Sequence, residues 1–208
     1  MKQDVKLFLQ ATPFIDSRHP DIIAFAEAHT RQLSDKKEKA IALFYAVRDG
    51  FRYDPYQIDL SVSGLKASTT LKNGYGWCVS KAVLLAAACR SLGIQAKLGF
   101  ADVRNHLASE KMIAFLKTDI AYWHGYTLIY LGNKWIKATP AFNLELCEKS
   151  GLVPVEFDGI NDAVFPAKAL NGQPHMEYLR DRGGFDDVPL KQIINTYQKK
   201  YAHVMESW

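Results

Sequence analysis

The chain has 208 residues, of which 48% are hydrophobic, and this length can bury one sizeable core. Its 26 basic and 22 acidic side chains are interspersed, so no basic stripe indicates a nucleic-acid partner. Three cysteines do not suit a secreted disulfide framework, and no uninterrupted apolar run approaches about 18 residues. We therefore expect a cytoplasmic protein with free thiols, no signal peptide and no membrane span.

Two helices are predicted in the first quarter of the chain, after an N-terminal strand or arm over residues 1–18. His19-Pro20 begins the first helix, because proline suits the first helical position. Asp35, with Glu38 three residues later, resembles a capping box and begins the second helix, which ends at Asp49-Gly50. A short extended segment and a helical turn then lead to a glycine-containing loop.

That loop, Gly74-Tyr75-Gly76-Trp77-Cys78, precedes an apolar stretch to Leu92 that predicts a buried helix ended by Gly93. A thiol at a helix N-terminus faces unpaired backbone N–H groups and the positive end of the helix dipole. Both favour the thiolate, which is the nucleophilic form, so we expect a lowered thiol pKa. The alternative is a cysteine that is only a small buried side chain, which is our interpretation of Cys147.

Three strands and a helical excursion are predicted downstream of this helix. Residues 94–100 alternate apolar and polar side chains, as in a half-buried strand, and residues 104–118 return to helical spacing. Residues 123–131 and 135–138 are rich in aromatic and β-branched side chains. Gly132-Asn133 between them predicts a two-residue hairpin turn of type II′, with glycine first.

The hairpin predicts which side chains lie near His124. If Leu131 pairs with Lys134, then Tyr126 faces Thr139, and Thr139 lies diagonally from His124, about 7–8 Å away. A hydroxyl at that position could accept a hydrogen bond from one imidazole nitrogen and leave the other for a thiol. The alternatives are that His124 is a satisfied histidine at a strand edge, or that His106 is the base. We expect no metal site, because the cysteines lack close pairing.

The order of these elements resembles the transglutaminase-like superfamily over residues 36–143. The resemblance rests on Gly-x-Cys opening a buried helix, residues 92–97 leading into a strand, an aromatic-His-Gly strand, and Trp135 on the next strand. The chain is similar to bacterial transglutaminase-like proteins of the cysteine protease type. The resemblance implies an α+β, papain-like fold in which N-terminal helices and a buried Cys-bearing helix pack on an antiparallel sheet. We expect one domain over residues 1–208, with residues 144–208 as a C-terminal extension.

The resemblance also implies a Cys-His-Asp triad in that chain order. By position, Cys78 is the nucleophile and His124 the base, and Thr139 stands where the pattern places the aspartate. A hydroxyl can orient the imidazole but cannot stabilise imidazolium as a carboxylate does. Further help with orientation or with the oxyanion is expected from Asn143, Asp102 and Trp77. Two aromatic residues, Tyr75 and Trp123, are expected to line the substrate cleft.

These residues predict acyl-transfer chemistry. Cys78 would form a thioester with a peptide or a small amide or ester, and water or an amine would resolve it, without a cofactor. Hydrolysis is favoured over amine transfer because water needs no second-substrate site. The alternative is a catalytically silent peptide-binding module on the same fold. The sequence predicts neither the substrate nor the oligomeric state.

Overall fold

The computed structural model describes residues 7–205, so residues 1–6 of the predicted N-terminal segment lie outside the described part. No strand forms over residues 7–18. The helices are α1 (Pro20–Thr30), α2 (Lys36–Gly50), α3 (Ala67–Asn73), α4 (Cys78–Ser91), α5 (Glu110–Leu116), α6 (Leu144–Ser150) and α7 (Leu190–Lys200). The strands are β1 (Arg52–Tyr53), β2 (Tyr75–Gly76), β3 (Ala96–Asn105), β4 (Ile120–Leu131), β5 (Lys134–Ala138) and β6 (Met176–Phe185). Within residues 7–205, no helix is long and apolar enough to cross a bilayer.

Helix α4 is the centre of the fold. Every residue from Cys78 to Arg90 is buried, as expected for a helix that is apolar almost all round. The helix packs against β3 and β4 of the sheet and against α1, α2 and α3. The predicted α+β arrangement, with a Cys-bearing helix on an antiparallel sheet, is confirmed.

Two buried basic side chains on α4 donate hydrogen bonds to backbone carbonyl groups. Lys81 donates from Nζ to the carbonyl oxygens of Arg48 (2.9 Å), Phe51 (2.7 Å) and Ala141 (2.7 Å). Arg90 donates in the same way to three carbonyl oxygens, one of them on β3. Because a buried charge is costly unless it is hydrogen-bonded, these contacts fix the neighbouring segments around α4.

The four-stranded sheet has the order β5-β4-β3-β6, and all its neighbours are antiparallel. The predicted hairpin register is confirmed, since Leu131 pairs with Lys134 and Thr127 with Ala138. The predicted turn type is wrong. Gly132 (φ 53°) and Asn133 (φ 68°) both have positive φ, which defines a type I′ turn, and asparagine tolerates this conformation.

Other differences from prediction lie after β3. That strand extends to Asn105, and the helix predicted over residues 104–118 is limited to α5. Strand β6 was not predicted, because most of its side chains are exposed and Gly183-Gly184 interrupts any alternation. It nevertheless completes the sheet beside β3.

Candidate active site

Cys78 occupies the first position of α4, and the residue before it shapes the helix start. Trp77 is extended (φ −101°, ψ −179°), and its N–H donates to Ser80 Oγ at 3.0 Å. The Ser80 hydroxyl in turn donates to the Trp77 carbonyl at 3.2 Å. Ser80 therefore uses its side chain to close the first turn, as an N3 residue of a capping box does.

The turn before Cys78 is held close to β1. Tyr53 pairs with Gly76 in the short parallel ladder between β1 and β2. A Cβ on residue 76 would lie 2.5 Å from Ser80 Oγ, so only glycine allows the turn to approach the helix this closely. The pairing sets Tyr53 beside the turn that leads into the cysteine.

Strand β4 approaches the first turn of α4 at Gly125, the residue after His124. A Cβ on residue 125 would lie 2.9 Å from the Val79 Cα atom. Glycine at position 125 therefore allows β4 to lie against Val79. His124 and Cys78, which precede Gly125 and Val79 in the chain, line the same cavity.

The cavity has a volume of about 360 Å³ and is lined by both Cys78 and His124. Its other walls are mostly aromatic and aliphatic. Tyrosines on one side include Tyr197 and Tyr201, at and just beyond the end of α7, and apolar side chains of α5 lie on another side. The sequence does not predict these tyrosines as cavity residues, although a spacing of four residues in and just after a helix favours a common face.

His124 is buried, and burial lowers its pKa to about 4. The imidazole is therefore neutral at pH 7. Its ring packs against Phe165, with ring centroids 5.0 Å apart, and Tyr178 lies at 6.4 Å. The Nε2 atom is buried without a hydrogen-bond partner among the described residues.

The thiol of Cys78 is also neutral. Burial raises its pKa to about 11, although the backbone N–H groups of Gly125, Val79 and Cys78 itself oppose this shift. The expected lowering of the pKa by the helix N-terminus is therefore wrong for this structure, because desolvation of the thiolate outweighs the stabilising N–H groups. At rest the two groups are thiol and imidazole.

Thr139 follows Ala138, the last residue of β5 that pairs with β4. Its N–H donates to Ala163 O at 2.9 Å, and its side chain is buried. The hydroxyl lies beside that of Tyr178, but Thr139 Oγ1 forms no hydrogen bond of good geometry with any described residue. The predicted hydrogen bond from His124 to Thr139 is therefore not made in this structure.

A comparison with family models matches residues 23–140, more than half of the chain, to the transglutaminase-like superfamily. The chain belongs to this superfamily. No curated protein matches the chain.

One solved structure shows a similar fold over most of the chain. The chain is similar to a "putative cysteine protease" from Cytophaga hutchinsonii, with 19% identity, a TM-score of 0.57, and coverage of 90% of this chain and 48% of that one. It spans about half the length of that protein. An arylamine N-acetyltransferase from Mycobacterium abscessus matches with 12% identity, a TM-score of 0.43, and coverage of 64% and 46%. A "putative protease" from Parabacteroides distasonis matches with 17% identity, a TM-score of 0.41, and coverage of 57% and 23%.

Asp102 and Trp123, two residues singled out from the sequence, lie in a β-bulge beside His124. In this bulge, Asp102 of β3 lies opposite two residues of β4, Tyr122 and Trp123. Trp123 has a φ of 58°. Asp102 accepts hydrogen bonds from Arg182 Nε (2.6 Å) and Nη2 (2.8 Å) and from Trp123 N–H (3.1 Å). The Trp123 indole donates to Thr196 at 2.9 Å, under the Arg182 guanidinium. The carboxylate thus has its partners in the bulge, and Trp123 is not among the residues that line the cavity.

Three other residues singled out from the sequence also lie away from the Cys78–His124 cavity wall. Tyr75 faces a smaller, separate pocket and contacts Gln57. Asn143 accepts the Tyr53 N–H at 3.2 Å through Oδ1. His106 is half exposed and lies 3.1 Å from Glu177.

Trp77, in contrast, lines the cavity together with Cys78. Among residues 7–205, no group of three or more His, Cys, Asp or Glu side chains is arranged to hold a metal ion.

Proposed function

We propose that this chain is a thiol-dependent acyl-transfer enzyme that hydrolyses an amide or ester, with Cys78 as nucleophile and His124 as base. The observation that carries the proposal is that both side chains line one cavity, with Cys78 at the start of a helix and His124 on the strand packed against it. A nucleophile, a base and an adjacent cavity are the minimum set for this chemistry.

The raised thiol pKa and lowered imidazole pKa determine the order of proton transfers. Because the resting pair is neutral, the His124 imidazole removes the thiol proton as the Cys78 sulfur attacks the carbonyl carbon. The resulting imidazolium then protonates the leaving nitrogen or oxygen, and a thioester remains on Cys78. In the second step, His124 takes a proton from water as the water oxygen attacks the thioester carbon. The C–S bond then breaks, and the imidazolium returns the proton to the departing Cys78 sulfur, which restores the neutral thiol and imidazole.

The backbone N–H of Cys78 is the natural donor to the oxyanion that forms in each step. It is one of the first N–H groups of α4, which have no carbonyl partner within the helix. The oxyanion also faces the positive end of the helix dipole. Thr139 would orient the imidazole through its hydroxyl, in the position where superfamily members resembling this chain carry an aspartate.

The proposed function is tested by turnover of a panel of fluorogenic peptide amides and aryl esters. We expect measurable hydrolysis by the wild-type chain, none by Cys78→Ala, and a loss of about 10²–10⁴-fold in His124→Ala. Cys147→Ala is the matched control, because Cys147 is buried in a separate small cluster and does not line the cavity. Turnover that survives in Cys78→Ala would show that the proposal is wrong.

A catalytically silent binding module is the second candidate. It is favoured by one observation: His124 Nε2 and Thr139 Oγ1 are both buried without a hydrogen-bond partner among the described residues, so no hydrogen bond at Nε2 orients the ring for catalysis. A module of this kind would bind peptides with measurable affinity while Cys78 remained inert toward acyl donors at every pH. Peptide binding measured by calorimetry, together with no turnover of the panel above, selects this second function.

A further inference from the structure

The cavity at Cys78 has the size of a small-molecule site. Its volume of about 360 Å³ falls within the roughly 300–1,000 Å³ typical of ligand pockets. Its lining includes Cys78 and His124, side chains of α5, and the tyrosines Tyr197 and Tyr201. An acyl group attached to the Cys78 sulfur would therefore have a defined space to occupy.

The wall of this cavity offers no free charge to a substrate. Among the described residues that line it there is no lysine or arginine, and Asp119 is the only carboxylate. Asp119 already forms an ion pair with Arg104 at 3.2 Å. Burial lowers the pKa of His124 to about 4 and so keeps this cavity residue in its neutral form.

Several polar side chains in the wall already have hydrogen-bond partners. Ser109 and Thr118 each accept a nearby backbone N–H at 3.2 Å. The Tyr197 and Tyr201 hydroxyls donate to carbonyl oxygens of β4 at 3.2 and 2.7 Å. These two hydroxyl protons are therefore already used, and a charged substrate group beside the tyrosine rings would lose hydration without gaining an ion pair.

Helix α5 contributes apolar side chains to the cavity wall, and the rest of the described chain covers them only in part. None of its residues is fully buried, yet Met112 and Leu116 line the cavity. The neighbouring Ile113 is exposed and does not line it. An apolar group in the cavity would cover Met112 and Leu116 and remove their surface from water.

We infer that the substrate of this site carries a large, uncharged, apolar acyl group, aryl or alkyl, which fits between α5 and the tyrosines of α7. The inference rests on the proposed function, because it takes the cavity as the acyl site of Cys78. Met112 and Leu116 are then specificity-determining residues, and short or anionic acyl groups are poor substrates.

The test measures binding in a chain that cannot turn over. Isothermal titration calorimetry of Cys78→Ala is carried out with aminocoumarin amides that share one leaving group and differ in the acyl part: acetyl, pentanoyl, phenylbutanoyl and succinyl. We expect phenylbutanoyl and pentanoyl amides to bind at least roughly tenfold more tightly than the acetyl amide, because each buried methylene adds affinity. The succinyl amide, close to pentanoyl in length but anionic, should bind at least roughly tenfold more weakly than pentanoyl.

A matched pair of variants on α5 tests whether the tighter binding of apolar acyl groups arises at this wall of the cavity. Adding Met112→Glu to Cys78→Ala should weaken phenylbutanoyl binding at least roughly tenfold, whereas Ile113→Glu should leave it unchanged. Equal affinity for acetyl and phenylbutanoyl amides in Cys78→Ala alone overturns the inference, so the test does not depend on whether the α5 variants fold. An equal effect of both α5 variants, with unchanged circular dichroism, overturns it as well.

The two proposals fail in distinguishable ways. Selective apolar binding by Cys78→Ala, with no turnover of the same amides by the wild-type chain, supports the inferred acyl group and contradicts the acyl-transfer enzyme. Turnover without preference among the acyl groups supports the enzyme and contradicts the inferred acyl group.

Discussion

Gly125 of β4 lies against Val79 in the first turn of α4, where an added Cβ would be 2.9 Å from the Val79 Cα atom. This contact connects the two elements that carry the candidate base and nucleophile. The atom that an added Cβ would meet is a backbone atom of Val79, so rotation of a side chain could not relieve the clash.

Gly125→Ala should therefore move β4 away from the start of α4. We expect a loss of about 1–3 kcal/mol in the free energy of unfolding, measured by urea denaturation, together with a clear loss of turnover. Gly50→Ala is the control, because a Cβ at the end of α2 meets nothing within 4 Å, and its stability should stay the same or rise slightly. Equal stability and turnover in the two variants would remove the close approach from the account.

Lys81 should be a major contributor to stability. Its Nζ donates to the carbonyl oxygens of Arg48, Phe51 and Ala141, and burial lowers its pKa to about 7. Lys81→Met would leave three buried carbonyl groups unpaired, so we expect a loss of about 3 kcal/mol or more in urea denaturation. The exposed Lys72→Met on α3 should change stability by less than about 0.5 kcal/mol. A cost at Lys81 as small as that at Lys72 would contradict the role assigned to these hydrogen bonds.

The pH dependence of Cys78 alkylation should show no plateau near neutrality. Because burial raises the pKa of the thiol to about 11, the thiolate fraction rises roughly tenfold for each pH unit up to about pH 10. Iodoacetamide labelling followed by mass spectrometry should give a rate that increases over this whole range. A rate that levels off by pH 7 would instead show a resting thiolate–imidazolium pair.

His124 provides the complementary control on alkylation. Since its pKa is lowered to about 4 and the ring is neutral from pH 6 upward, His124→Ala should change alkylation at pH 9 only slightly. The same variant should strongly reduce acyl transfer, in which the imidazole acts as a base.

Thr139 can be tested by replacing only its hydroxyl or by supplying a carboxylate. Continuing the observed register places Thr139 diagonally from His124, and the hydroxyl and Nε2 are both buried without partners. Thr139→Val should lower turnover by roughly 3- to 10-fold if the hydroxyl orients the ring during the reaction. Thr139→Asp should preserve or raise turnover, because a carboxylate stabilises imidazolium. Equal turnover in all three chains would exclude Thr139 from the mechanism.

Local patterns predicted much of the fold around the site. The apolar run after Cys78 predicted the central helix, and the two-residue connection at Gly132-Asn133 fixed the strand register, because a turn that short leaves little freedom. The turn type was predicted wrongly. Glycine at the first turn position is compatible with both type I′ and type II′, and the prediction did not consider that asparagine tolerates a positive φ at the second position.

What depends on distant parts of the chain could not be predicted. The bulge at Trp123 is held by Asp102 and Arg182, and Arg182 belongs to β6, a strand without a clear sequence pattern. The expected lowering of the Cys78 pKa considered only the helix N-terminus, whereas burial by the surrounding elements decides the sign.

The proposed function requires that Cys78 form a covalent thioester with its substrate. The most direct measurement is intact-mass spectrometry after mixing the chain with an excess of an aryl ester that carries a large apolar acyl group, followed by peptide mapping. We expect an added mass equal to that of the acyl group, located on Cys78. Hydroxylamine should remove it, and Cys78→Ala should not acquire it. An unmodified Cys78 while the ester is consumed, or an acyl group located on another residue, would contradict it.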